Sequence, residues 1–220
     1  MKYLLTSGGV RNESIKKALI ELLGKPIEEC SALCITTASY ARSNGAKLAY
    51  EFINGISETP MCDLGWKNID NLELSAVSQV DKEVWTKQIH EADAFLVNGG
   101  DPLFLYYWMK ESGFDRIIPS LDAVYVGLSA GSMVMAPRIG SDFVNWNKYE
   151  LSDETCGHVH FSIFPHLNHP MMPDNNLETA QSWFEEIGNE AYAIDEETAI
   201  KVDGHHIEII SEGVWKKFPI

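Results

Sequence analysis

Residues 123–134 read Ala-Val-Tyr-Val-Gly-Leu-Ser-Ala-Gly-Ser-Met-Val. An apolar, strand-forming run passes into Gly127-Leu128-Ser129-Ala130-Gly131 and continues as an apolar helical stretch to Met135. This is a G-x-S-x-G elbow: strand, sharp turn, helix. A serine at the tip of such a turn has a strained backbone. The residues two before and two after it crowd together, and glycine at both places removes the clash. The turn lifts the Ser129 hydroxyl above the sheet, beside free N–H groups that favour negative charge. The plain alternative is a βα turn that needs only small residues.

Working outward, the preceding unit has the same build. Asp81 to Ala92 predicts a helix, with Val84, Trp85 and Ile89 on one face. Ala94 to Val97 predicts a buried strand running into Asn98-Gly99-Gly100-Asp101, and Pro102 suits the first turn of the next helix. A short helix is expected over Phe114 to Leu121. Nearer the N-terminus, Lys2 to Thr6 predicts a strand ending at Ser7-Gly8-Gly9. Asn12 is placed to cap a helix reaching Leu23. A strand over Ala32 to Thr36, a helix over Ser43 to Phe52 and a strand over Met61 to Leu64 follow. Downstream, Ser162 to His166 reads as a strand and Asn176 to Ile187 as an amphipathic helix. Ala191 to Phe218 reads as short strands with turns at Asp203-Gly204 and Glu212-Gly213. Strands alternating with helices imply βαβ units and a mainly parallel sheet covered on both faces, with antiparallel C-terminal strands at an edge. The expected organisation is one α/β domain spanning residues 1–220.

Composition narrows the function. The formal net charge of −15 repels nucleic acid phosphates and anionic lipid, so no nucleic-acid or membrane partner is expected. No stretch reaches the ~18 apolar residues that span a bilayer, and the N-terminal apolar run is too short for a signal peptide. A cytoplasmic protein is expected, and nothing here decides against a homodimer. Cys30, Cys34, Cys62 and Cys156 form no metal-ribbon spacing and are expected as free, packed thiols.

A serine nucleophile needs a base. Of seven histidines, His90, His205 and His206 read as surface residues. His166 follows the apolar run Ser-Ile-Phe-Pro, at a strand end where parallel sheets build their sites, but His169 is nearly as well placed. An oxyanion hole needs two donors. The amide of Ala130, next to the nucleophile, is one, and the amide of Gly100 is the candidate for the second. Such chemistry requires no metal or organic cofactor.

The motifs Asn98-Gly99-Gly100-Asp101, Gly127-Leu128-Ser129-Ala130-Gly131 and Pro165-His166, in that order and spacing, resemble the serine peptidase family of dipeptidase E (aspartyl dipeptidase) and cyanophycinase. The resemblance runs over nearly the whole chain. It implies a three-layer sandwich similar to flavodoxin and the class I glutamine amidotransferases. It also implies Ser129 as nucleophile and His166 as base in an acyl-enzyme mechanism acting on small peptides, with Asp-X dipeptides as one specificity. In that family the segment Ala191 to Ile200 supplies a carboxylate to the histidine, and Glu196 falls at the matching position. Asp142 resembles a second family aspartate and is the alternative. Two departures stand out: Asp101-Pro102 where the family usually has asparagine and often threonine, and Leu167 to Pro173 where dipeptidase E begins Phe-Thr-Asn.

Rival readings remain open at this stage. A serine esterase or amidase of similar build shares Ser129. A metal site is offered by His158-x-His160 with His166 and His169, though no acidic ligand or HExxH helix accompanies them. A non-catalytic ligand-binding protein is offered by Ser7-Gly8-Gly9 as a phosphate loop. A glutaminase needs a cysteine where this chain has Ser129. Arg42 and Arg138 are the cations considered for an acidic substrate, and Trp146 and Tyr149 lie in a loop placed to cover the site.

Overall fold

A computed structural model gives the architecture; it describes residues 1–146 and 152–220. In chain order the elements are β1 (Lys2–Thr6), α1 (Glu13–Leu23), β2 (Ser31–Ile35), α2 (Gly45–Ile53), β3 (Asn68–Asn71), α3 (Lys82–Glu91) and β4 (Ala94–Val97). There follow α4 (Pro102–Ser112), α5 (Phe114–Ile117), β5 (Val124–Leu128), α6 (Ala130–Met133), β6 (Ser162–Phe164) and α7 (Leu177–Ile187). The chain finishes with β7 (Ala191–Ile194), β8 (Thr198–Asp203), β9 (His206–Ser211) and β10 (Trp215–Phe218).

The helices begin and end where local chemistry says they should. Asn12 accepts the amide of Ile15 at 2.9 Å, and Gly24 closes α1 in the left-handed conformation at φ 71°. Asn176 caps α7 by accepting the amides of Glu178 and Thr179. Asp101 caps α4 at the amide of Phe104, with Pro102 in its first turn.

A seven-stranded sheet has the order β3-β2-β4-β5-β1-β8-β9. The pairs from β3 through β1 are parallel; β8 joins β1, and β9 joins β8, antiparallel. Because both faces are covered, the central strands are apolar throughout, and alternate residues feed opposite cores. Tyr3, Leu5, Leu33, Ile35, Phe95, Val97 and Tyr125 face the side packed by α3, α4 and α5. Leu4, Ala32, Cys34, Leu96, Val124 and Val126 face the side packed by α1 and Phe52 of α2. The chain is thus a three-layer α/β sandwich with a mainly parallel sheet.

Two expectations change. The antiparallel C-terminal strands do not all join the main sheet: β7 and β10 form a second, three-stranded sheet with β6, in the order β10-β7-β6. Residues 61–64 are not a strand. Met61 is buried and its carbonyl accepts the Trp66 indole at 2.7 Å, which ties the segment into a turn. The edge strand comes later, as the polar β3, whose apolar signal is a single isoleucine.

Register positions the site. Thr6 lies opposite Leu128 on one side and Ala199 on the other. The residues just beyond β1 and β5, and those just before β8, therefore meet at one end of the sheet, the carboxyl ends of the parallel strands.

Candidate active site

Ser129 sits at the turn between β5 and α6 with φ 51° and ψ −112°, a conformation that L-residues adopt only when the surroundings impose it. The imposition is visible. A β-carbon on Gly127 would lie 2.7 Å from the carbonyl oxygen of Gly131, and one on Gly131 would collide with the carbonyl of Val97 in β4. Buried Thr6 pins the turn. Its carbonyl accepts the Ser129 amide at 3.0 Å and the Ser132 hydroxyl at 2.8 Å, and its own hydroxyl donates to the Gly127 carbonyl at 2.7 Å. The buried Tyr125 hydroxyl donates to the Gly131 carbonyl at 2.7 Å.

From this tip a chain of hydrogen bonds runs inward. Ser129 Oγ lies 2.7 Å from His166 Nε2, and His166 Nδ1 lies 2.5 Å from Glu196 Oε1. An ionised carboxylate only accepts, so Nδ1 carries the proton and Nε2 is left to accept from the serine. His166 is held at φ 60°, with its amide donating to Ser7 Oγ at 2.7 Å. The Ser7 hydroxyl donates in turn to Glu196 Oε1 at 3.2 Å. Burial pushes the Glu196 carboxyl up and is the largest single influence on it. The hydrogen bond and charge of His166, the charge of His169 and the Ser7 hydroxyl together outweigh it, holding Glu196 below its ordinary range.

The loop after β4 forms the facing wall. Asn98 Oδ1 accepts the Gly99 amide at 2.8 Å, Asn98 Nδ2 donates to Ser39 Oγ, and Ser39 Oγ donates to the Gly99 carbonyl, both at 3.0 Å. Gly100, at φ 150°, passes so close to Ala38 that a β-carbon would strike its carbonyl. The amides of Gly100 and Ala130 donate to no described residue. They remain available to an oxygen above Ser129.

These groups open into a cavity of about 230 Å³ lined by Ser129, His166, Gly99, Gly100, Arg42 and Glu51, among others. Ser129, His166, Glu196, Gly100 and Ala130 are brought to one place. Asp142 is not part of it: it is exposed on the turn Ser141–Phe143, and the carboxylate on His166 Nδ1 is that of Glu196. His169 packs its ring edge-on to His166 at 5.9 Å but accepts the Met171 amide, so it does not reach the serine. The histidines of the metal reading are split. His158 and His160 line a separate cavity with His205, and no described group of three metal-binding side chains is placed to hold an ion.

Of the two cations, Arg138 is committed elsewhere. It pairs with Asp153 at 3.0 Å and donates to the Ile187 carbonyl at 3.0 Å. Arg42 borders the cavity. Trp146 is tethered to the loop after β4 by its amide, which donates to Asp101 Oδ2 at 3.0 Å, and its ring packs on Phe104 and Tyr107. Tyr149 lies outside the described residues.

Sequence reading missed Ser7, Gly8 and Thr6 as parts of this site. Gly8 is required because a β-carbon there would collide with Glu196 Oε2. Arg11 approaches the same oxygen at 3.9 Å. The Ser7-Gly8-Gly9 signal was legible as a close backbone approach, but to the chain's own glutamate rather than to a phosphate.

A search of the curated proteins finds no match. Two solved structures share the fold. One is a candidate peptidase E protein from Listeria monocytogenes EGD-e, with a TM-score of 0.65 at 19% identity over 96% of this chain and 98% of that one. The other is a peptidase from an acI-B1 Actinobacterium, with a TM-score of 0.66 at 18% identity over 99% of this chain and 93% of that one. The sequence model of peptidase family S51 matches residues 3–210, nearly the whole chain, and so this protein belongs to peptidase family S51.

Proposed function

We propose that this member of the family hydrolyses short peptides through an acyl-enzyme on Ser129. The observation that carries the reading is the unbroken hydrogen-bond chain Ser129–His166–Glu196. Ser129 Oγ attacks the scissile carbonyl carbon as His166 Nε2 takes its proton. The Gly100 and Ala130 amides hold the oxyanion of the tetrahedral intermediate; one such donor is typically worth about 3 kcal/mol. The intermediate collapses, the C–N bond breaks, and the amine leaves with the proton from His166. Water then attacks the ester, its proton passing to His166 and on to Ser129 Oγ. Glu196 fixes the imidazole tautomer and stabilises the cation.

The test is hydrolysis of a dipeptide and tripeptide panel, rich in Asp-X, followed by mass spectrometry, with Ser129→Ala as control. Turnover falling by at least about 10⁴-fold in that variant is expected. Cleavage that persists in Ser129→Ala, or wild-type protein that cuts esters but no peptide, would overturn the reading.

A further inference from the structure

We propose that Arg42 selects the substrate by binding one of its carboxylates, an inference that rests on the peptidase reading above. The chain has four arginines. Arg11 is within 4 Å of Glu196 and Glu197, Arg116 reaches Asp115, and Arg138 clasps Asp153. Arg42 alone has no ion-pair partner among the described residues, in a chain with 32 acidic side chains. Glu51 lines the same cavity and pairs with Lys47 at 3.6 Å, and the charge of Arg42 is felt by the Asp101 carboxylate, whose own hydrogen bonds go to the amides of Phe104 and Trp146.

Its backbone is fixed relative to the reacting atoms, and its side chain is exposed at the cavity rim. Arg42 ends the turn Thr37–Ala41, its amide bonded to the Ser39 carbonyl at 3.0 Å. That turn is joined to the oxyanion loop by the Ser39 hydroxyl on Gly99 and by the Asp101 amide on Ala38. Arg42 borders both the Ser129 cavity and the adjoining recess walled by Gly100 and Trp146. A substrate lying across Ser129 with its carbonyl oxygen toward Gly100 therefore passes the guanidinium, whose planar fork matches a carboxylate. An acidic protein exterior repels such a substrate, so a cation at the site carries the discrimination. The carboxylate is either an acidic side chain on the acyl residue or the free C-terminus of the leaving residue.

The experiment compares Asp-Ala, Asn-Ala and Asp-alaninamide as substrates for the wild type, Arg42→Met and Arg42→Lys. In Arg42→Met, kcat/KM for Asp-Ala is expected to fall about 10- to 100-fold, the size of one charge-assisted hydrogen-bonded contact. Whichever neutralised analogue is indifferent to the substitution identifies the carboxylate that is bound. Arg42→Lys recovers part of the loss. Equal losses on all three substrates, or no loss on any, would overturn the proposal.

A second readout stands even if no peptide is cut. Labelling of Ser129 by a fluorophosphonate is followed with and without Asp-Ala. Protection in the wild type that needs at least 10-fold more dipeptide in Arg42→Met supports the proposal. Absent protection, or equal protection in both, refutes it.

Discussion

Gly8 lies against Glu196 so closely that a β-carbon at residue 8 would occupy the place of the carboxylate oxygen Oε2. The atoms most displaced are ends of flexible side chains, Glu196 Oε2 and the Arg11 Cδ, while the Glu196 backbone carbonyl 3.0 Å away need give only slightly, so the fold can yield there while the site cannot. Gly8→Ala is expected to lower kcat/KM about 10- to 100-fold by turning Glu196 away from His166. The melting temperature should drop by no more than about 4 °C, roughly 1 kcal/mol for a chain of this size. Activity and thermal melting measured together check this; parallel collapse of both would contradict it.

The two carboxylates considered from sequence are separable by substitution. Glu196→Gln removes the negative charge beside His166 Nδ1 and offers an NH₂ donor that favours the wrong imidazole tautomer, so a loss of up to about 10⁴-fold in kcat is expected. Asp142→Asn, on an exposed turn, should stay within about twofold of the wild type. Steady-state kinetics on the two variants decides between them.

Stability should carry the Glu196 signature in acid. Its carboxyl sits below the ordinary range in the fold and near about 4.3 in the unfolded chain. The folded state therefore binds fewer protons, and the stabilisation is fully present above the unfolded value. It is lost as pH falls through the lower folded value. Denaturant unfolding at pH 7, 5, 4 and 3 should show the gap between wild type and Glu196→Gln shrinking toward low pH. A gap that stays constant would exclude the linkage.

Backbone strain at Ser129 can be isolated by comparing two inactive variants. Ser129→Ala and Ser129→Gly both lack the hydroxyl, but only glycine accepts φ 51° without a clashing β-carbon. The glycine variant should be the more stable by about 1 kcal/mol, after the entropy of its freer unfolded chain is subtracted. Equal midpoints in urea would mean that the turn stores no such strain.

Asp101 stands where the family usually has asparagine. Its carboxylate accepts two amides at once, from Phe104 and Trp146. Burial raises its pKa and those amides oppose the rise. An asparagine offers one oxygen and an NH₂ group that cannot accept, so Asp101→Asn must give up one of the two bonds or share its single oxygen between them. The cap on α4 is the shorter tether and should survive, releasing Trp146. A change in indole fluorescence with a destabilisation of about 1–2 kcal/mol is expected; unaltered emission would argue against this tether.

Much of the fold was readable because the sheet is buried on both faces. Strands such as Ala94–Val97 and Val124–Leu128 announce themselves as apolar runs, and Asn12 and Asn176 announce helix starts. β3 was misplaced because an edge strand of sequence Asn-Ile-Asp-Asn has no periodic signal, while the buried Met61-Cys62 beside it mimics one. Within the site, residues presented by local motifs were legible: Ser129 and Ala130 by the elbow, Gly100 by the glycine pair. Glu196 was placed through family resemblance and not by spacing, because its partner lies 30 residues away across a second sheet. Ser7 and Thr6 were missed for the same reason. Their roles arise from register against β5 and β8, which no single stretch of sequence encodes.

The order of strands also sets when the chemistry can exist. β1, made first, waits in the centre of the sheet for β5 on one side and for β8 on the other. A chain still under synthesis holds Ser7, Ser129 and His166 before Glu196 has been made. The hydrogen-bond chain from Ser129 through His166 to Glu196 is therefore closed late, when β8 docks against β1 and brings the turn before it into place.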